Sequence, residues 1–358
     1  MKSLRSIREK VESGERLSAS DGVALFKSND VLETGRLANI VRERKNGNRA
    51  YYIINYHINY ANICVNRCRF CAFSRSAGED GAYEMDMEEI LRRADEAARM
   101  GATEIHIVGG LHPALPFEFY TEMLREIRSR HPHIHLQAFT AVEIAHIAGV
   151  GGMPVGDALV ELREAGLGSL PGGGAEVFAP RVRREICPEK LPGEKWLDVM
   201  RTAHRLNIRS NATMLYGHVE TPEEKIEHLI KLRELQDETG GFMSFIPLAF
   251  HPRNTGISRR FGTTGIEDLK HLAIARLMLD NFDHIKAFWI MLGLKLSQVS
   301  LSFGVDDIDG TVVEEKITHM AGAETPRGVS VEELRGLIRE AGRTPVRRDT
   351  LYNAPLDS

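Results

Sequence analysis

The sequence predicts an α/β chain folded as a (β/α)8 barrel with an N-terminal helical extension. Three observations carry this. From about residue 50 onward, short apolar or β-branched runs alternate with amphipathic helical stretches, the pattern of a parallel sheet covered by helices. Eight such runs fall within about 260 residues, which matches a closed eight-stranded barrel in count and length. Helix starts also carry cap signatures, so the boundaries between runs are marked as well as the runs themselves.

Taken in order, residues 1–48 read as charged and helical, closing at the turn-like Lys45-Asn-Gly-Asn48. Strands are expected at 52–59, 104–108, 135–140, 169–170, 209–215, 242–247, 285–291 and 298–303. Helices are expected at 86–100, 117–130, 154–165, 193–206, 222–239 and 264–282. Thr221-Pro-Glu-Glu224 places Thr at an N-cap, Pro at the first helical position and Glu at the third, and Ile226, Leu229 and Ile230 then share one face. Asp86-Met-Glu-Glu89 opens the helix at 86 in a similar way. The expected organisation is an extension over 1–48, the barrel over 49–320, and a C-terminal helix and tail over 321–358.

The chain has 358 residues, 42% of them hydrophobic, enough for a large core without staples. Its formal charge of −4 speaks against nucleic acid as the main partner, which would need a basic surface. The opening MKSLRSIREKVESGE lacks the apolar core of a signal peptide. The longest apolar run, Ala287–Leu294, is short of the ~20 residues that span a bilayer. A cytoplasmic location is expected. Thiols stay reduced there, so clustered cysteines point to a metal rather than disulfides.

Three of the four cysteines, Cys64, Cys68 and Cys71, are spaced C-x3-C-x2-C just after the first expected strand. In a barrel this is a loop at the C-terminal face, where active sites are built. A structural zinc site would want a fourth Cys or His at close spacing, but Cys187 is remote and His57 sits on the preceding strand. Three buried apolar thiols are the bland alternative. Cys187, before Pro188, reads as a small apolar residue. Pro171-Gly-Gly-Gly-Ala-Glu176 lacks the Lys-Ser/Thr of a phosphate loop and fits better as a strand end that a ligand approaches closely.

With Phe70 before the last cysteine, the motif resembles the signature of radical S-adenosylmethionine (SAM) enzymes. The resemblance implies a [4Fe–4S] cluster on Cys64, Cys68 and Cys71, with SAM chelating its open iron and yielding a 5′-deoxyadenosyl radical on reduction. It also implies a SAM pocket at successive strand ends. Gly109 and Gly110 resemble a GGE-like motif, with Leu111 where the acid would stand. Gly217 and Glu220 resemble the end of a GxIxGxxE motif, and Glu176 is a candidate for a ribose hydroxyl.

Longer segments resemble one branch of the superfamily, which holds aminofutalosine synthases, dehypoxanthine futalosine cyclases and the enzymes of deazaflavin-chromophore synthesis. These are Gly109–Pro113, Leu170–Phe178, Glu185–Lys190, Met214–Thr221 and Gln236–Phe242. Phe245-Ile-Pro-Leu-Ala-Phe-His-Pro252 is similar to the synthases; the cyclases usually have Trp at the place of Leu248 and Gln at that of His251. A synthase-like chain implies menaquinone biosynthesis by the futalosine pathway. The adenosyl radical would add to the enolpyruvyl double bond of 3-[(1-carboxyvinyl)oxy]benzoate. Rearrangement and loss of the carboxylate would then give 6-amino-6-deoxyfutalosine. An electron donor such as flavodoxin or ferredoxin is implied, and no membrane partner. His218 and His251, each within a family segment at a strand end, are the candidate catalytic residues, with His57, Arg75, His112 and Arg253 as further polar candidates. The competing class, a non-enzymatic iron–sulfur protein, would normally close its cluster with four cysteines.

Overall fold

The computed structural model describes residues 4–258 and 261–353; the first three residues and the end of the expected tail lie outside them. Three helices open the chain: α1 (Leu4–Ser13), α2 (Ala19–Lys27) and α3 (Val31–Asn46). Then come β1 (Arg49–Ile53), β2 (Asn55–Ile58), α4 (Met87–Arg99), β3 (Glu104–Ile107), α5 (Phe117–Arg130) and β4 (His135–Ala138). Helices α6 (Ala141–Val150) and α7 (Val155–Ala165) lead to β5 (Ser169–Leu170), followed by α8 (Pro180–Ile186) and α9 (Gly193–Arg205). The next units are β6 (Arg209–Tyr216), α10 (Pro222–Thr239), β7 (Phe242–Ala249), α11 (Gly265–Met278) and β8 (His284–Ile285). The chain ends with α12 (Trp289–Leu292), α13 (Leu294–Ser300), β9 (Asp307–Gly310), α14 (Ile317–Met320), α15 (Val331–Glu340) and β10 (Thr344–Arg347).

Strands β2 to β8 form one parallel sheet in sequence order, each step crossed by helix, so the apolar helix faces cover its outer side. The sheet curls, and the segment 307–313 bridges its two edges: Lys286 pairs with Asp307 on one side and Tyr56 with Val313 on the other. Beneath it lies a second parallel sheet of order β10-β1-β9. The helix caps follow the sequence: Thr221 and Glu224 form a capping box and Gly240 closes α10 in the left-handed conformation, while Asp86 accepts from the Glu89 amide. No helix among the described residues is long and apolar enough to cross a membrane.

Three expected strands are corrected. The run 52–59 breaks at Ile54 into β1 and β2, which belong to different sheets. Asn55 marks the break: its backbone amide donates to Thr311 Oγ1 and its side-chain oxygen accepts from Val312 N–H. Residues 285–291 stop as strand at Ile285 and turn helical at Trp289, whose indole N–H is anchored on the Gly310 carbonyl at 2.8 Å. Residues 298–303 are not a strand but the end of α13 and the turn after it. Among the described residues, only isolated bridges from the segment 307–313 join the edges of the seven-stranded sheet, and the acidic Asp307-Ile-Asp-Gly310 is itself a strand of the second sheet.

Candidate active site

The strand ends open on one cavity of about 320 Å³ lined by the barrel interior and by the loop after β2. Cys64, Cys68 and Cys71 all line it, half-buried and free, whereas Cys187 is buried behind them in α8's C-cap. The loop that carries the three thiols is fixed by backbone bonds to its surroundings. Cys64 N–H donates to Arg75 at 3.0 Å, Val65 N–H to Leu111 at 3.0 Å and Arg69 N–H to Ile186 at 2.8 Å. Arg75 is spent here, its guanidinium donating to the Ala72 and Ser74 carbonyls.

Gly109 and Gly110, at the end of β3, explain why the loop can lie so close. A Cβ on Gly110 would stand 2.3 Å from the Ile63 carbonyl oxygen, and one on Gly109 2.7 Å from the Tyr60 ring. Backbone cannot yield as a side chain can, so glycine is required at 110 for the cysteine loop to pack on the barrel. Gly109 N–H donates to the buried carboxylate of Glu143 at 2.9 Å, which also takes Tyr60 Oη–H at 3.0 Å and the Thr140 amide. Burial pushes the Glu143 carboxyl up, against these donors. Sequence reading passed over Glu143; its signal was the capping box with Thr140 at the start of α6.

Glu176 lies in the cavity wall, buried, at a φ of +48°. Its carboxylate accepts from Lys190 Nζ at 2.7 Å, and that ammonium sits 5.2 Å from the centre of the Phe70 ring within the cysteine motif. His251 also lines the cavity, its Nε2–H donating to the Met291 carbonyl at 3.0 Å. Gly217, His218 and Glu220 do not line it. Glu220 accepts from the Gly217 and His218 amides at 2.6 and 2.9 Å. His218 donates to the Leu215 carbonyl and accepts from Val219 N–H. Gly217 sits at a φ of +90°, which glycine alone adopts freely. These three residues build the turn that ends β6, with the Glu220 carboxylate and the His218 ring engaged within it. His112 and Arg253 are likewise outside the cavity, the first beside Glu84 and the second paired with Glu324 on the surface.

Below the cysteines the wall is apolar, with Val108, Leu215, Ile246, Leu248, Phe288 and Met291. Deeper still, the inward positions of the strands turn polar: Asn55 and His57 on β2, Glu104 and His106 on β3, Gln137 on β4, Asn211 and Thr213 on β6, then Lys286 and Asp309. The register sets Asn55 beside Glu104 and His57 beside His106, and the two imidazoles stack with centroids 4.5 Å apart. Ser244 donates to Asn211 at 2.8 Å, and Asn211 to Gln137 at 3.4 Å. Burial holds His57 well below its usual value, helped by His106 and Lys286, and burial lowers His106 too. Sequence reading had only His57 of this floor. The rest carried a period-two polar signal on runs short enough to look like buried strands.

The donor set fits an iron–sulfur cluster. Burial pushes the Cys68 thiol up to about 12 and Cys64 in the same direction, so thiolates here need positive charge placed against them, which bound iron provides. Among the described residues no three His, Cys, Asp or Glu side chains converge on one metal ion. A cluster does not ask for that, since each thiol holds a separate iron.

The Radical SAM superfamily pattern matches residues 58–232, and that of the CofH/MqnC C-terminal region matches 239–356. The chain is 50% identical to a Thermus thermophilus protein named aminodeoxyfutalosine synthase, covering 97% of this chain and 94% of that one. A Streptomyces coelicolor protein of the same name is 45% identical over 97% of this chain and 93% of its own. A Methanopyrus kandleri protein named 5-amino-6-(D-ribitylamino)uracil–L-tyrosine 4-hydroxyphenyl transferase is 42% identical, covering 96% and 93%. Among solved structures, methylornithine synthase superposes with a TM-score of 0.76 at 18% identity over 95% of this chain and 97% of that one, a likeness of fold.

Proposed function

Because the chain belongs to the radical SAM superfamily, in the branch with a CofH/MqnC-type C-terminal region, we propose that it is an aminodeoxyfutalosine synthase. The reaction would join the adenosyl C5′ of SAM to the vinyl carbon of 3-[(1-carboxyvinyl)oxy]benzoate. Rearrangement and loss of the enolpyruvyl carboxylate as CO2 or bicarbonate would give 6-amino-6-deoxyfutalosine for menaquinone synthesis. The observation that carries this reading is the 50% identity along nearly the whole chain. The structure adds that Leu248 and His251, which set the Phe245–Pro252 segment apart from the cyclases, both line the cavity.

The cofactors of the chain are a [4Fe–4S] cluster and SAM, which together supply a 5′-deoxyadenosyl radical. In this reading Cys64, Cys68 and Cys71 hold the cluster, and Glu176 with Lys190 forms the polar wall beside it. The apolar belt below excludes water from a reactive carbon centre. Radical addition to an alkene needs little acid–base help, so positioning is the main task left to the residues. His251 is held by Met291 in that belt as a positioning residue. Reducing equivalents would come from a flavodoxin or ferredoxin.

The test is anaerobic incubation of reconstituted protein with SAM, dithionite and each of three substrate sets, read by mass spectrometry. The sets are the enolpyruvyl benzoate, dehypoxanthine futalosine, and tyrosine with 5-amino-6-(D-ribitylamino)uracil. Only the first should be consumed, giving 6-amino-6-deoxyfutalosine. Turnover of either other set in its place transfers the assignment to the cyclase or the tyrosine transferase.

A further inference from the structure

The polar floor is unused by the chemistry above, and its charges are unequal in how they are satisfied. Among the described residues, the cavity is lined by two ammonium groups, Lys190 and Lys286. Lys190 is engaged with Glu176 at 2.7 Å, beside the cysteine loop. Lys286 is different. Its side chain is 6% exposed, and its ion-pair partner, Asp309, stands 3.7 Å away, beyond hydrogen-bond reach. An ammonium carries three donors, and a buried one left without acceptors is costly. Asp309 has another claim on it, since Asn55 Nδ2 donates to its carboxylate at 3.4 Å. Glu104 and Asp307 also face Lys286, but both lie in the field of Arg348 as well, so Lys286 is not their sole counter-charge.

The backbone fixes where this side chain begins. Lys286 follows β8, donates its amide to Phe245 at 2.9 Å and bridges Asp307, so its Cα is held between two strands. The stacked rings of His57 and His106 are its neighbours on the floor. The cavity thus runs from three thiols at its mouth, past an apolar belt, to a floor where Lys286 stands among the acids Glu104 and Asp309, two imidazoles and amide and hydroxyl groups. A ligand that suits it has a reacting end near the mouth, an apolar middle, and a carboxylate at its far end.

We propose that Lys286 is the anchor for the ring carboxylate of the substrate, a meta-substituted benzoate, with His57 and His106 flanking it. This rests on the synthase reading. It assigns the two carboxylates of the substrate to opposite ends of the cavity: the enolpyruvyl carboxylate, which leaves, near the mouth, and the benzoate, which stays, at the floor. A charge-assisted pair of this kind also fixes the orientation of the vinyl group beneath the cysteine loop.

The test is binding, measured by anaerobic equilibrium dialysis on cluster-loaded enzyme with SAM and no reductant. The probes are 3-[(1-carboxyvinyl)oxy]benzoate and its ring carboxamide. Wild type should prefer the benzoate by roughly ten- to a hundredfold, the range of a charge-assisted hydrogen bond. Lys286→Met should lose that preference and bind both probes like the carboxamide, with SAM binding unchanged. Lys286→Arg should keep most of it. A Lys286→Met protein that still prefers the benzoate tenfold overturns the anchor. Should that variant fail to fold, the wild-type comparison decides, since equal binding of benzoate and carboxamide also overturns it. A wild type that binds neither probe removes the synthase reading, and the anchor with it.

Discussion

At the scale of single residues, the cysteines and the glycines that seat their loop carry the site. Replacing Cys64, Cys68 or Cys71 with Ala should abolish cluster retention after anaerobic reconstitution. Cys187→Ala should leave it intact, because that thiol is buried in the C-cap of α8. Iron content and electron paramagnetic resonance check both. Gly110→Ala is expected to destabilise the fold by ~1–3 kcal/mol, as overpacking does, since its Cβ would meet the Ile63 carbonyl oxygen at 2.3 Å. A melting temperature equal to wild type would show that the loop can retreat. The cysteine motif was legible in the sequence because ligand spacing is local. The role of Gly110 was not, because nothing local says which backbone lies 2.3 Å away. His218, a motif residue at a strand end, has its two ring nitrogens engaged by Leu215 and Val219, which its place in the sequence does not say.

At the scale of elements, the strand after β8 explains most of what was misread. Propensity favours 298–303, with Val and Phe, over Asp307-Ile-Asp-Gly310. The acidic segment nonetheless bridges the edges of the curled sheet, because its charges have buried partners brought from far along the chain. Arg348, just after β10, pairs with Asp307, and Arg276 in α11 pairs with Asp306. His284 adds a contact to Asp306 at 2.6 Å. Helices α4, α5, α7, α9 and α10 fell close to their expected bounds, since caps and apolar period are written within each segment. Burial pushes the Asp307 carboxyl up, but Arg348 and Lys286 outweigh burial, and it sits below its usual value. A depressed carboxyl adds stability that is present above its unfolded pKa of ~3.9 and is lost as pH falls through the folded value. Arg348→Met should therefore lower stability by ~3–5 kcal/mol near neutrality by taking from buried Asp307 the guanidinium it pairs with. It should also move the onset of acid unfolding to higher pH. Circular dichroism melts from pH 3 to 7 would read both effects; unchanged onset would show that Arg348 does not hold the strand.

At the scale of the whole molecule, the fold turns one sheet into a cavity graded from thiols through apolar wall to polar floor. The barrel was legible as alternating runs, but the grading was not. Which residues face inward at one depth depends on the register between strands, and His57 meets His106 only through that pairing. In the synthase reading the cavity brings the adenosyl carbon to an alkene and joins the two, instead of using it to remove hydrogen. The direct measurement uses SAM carrying 13C at the adenosyl C5′, with the enolpyruvyl benzoate and reductant in one anaerobic turnover. The label should appear in a benzoate-containing product, with one equivalent of CO2 or bicarbonate released. Label recovered in free 5′-deoxyadenosine, with the benzoate returned unchanged, would contradict it.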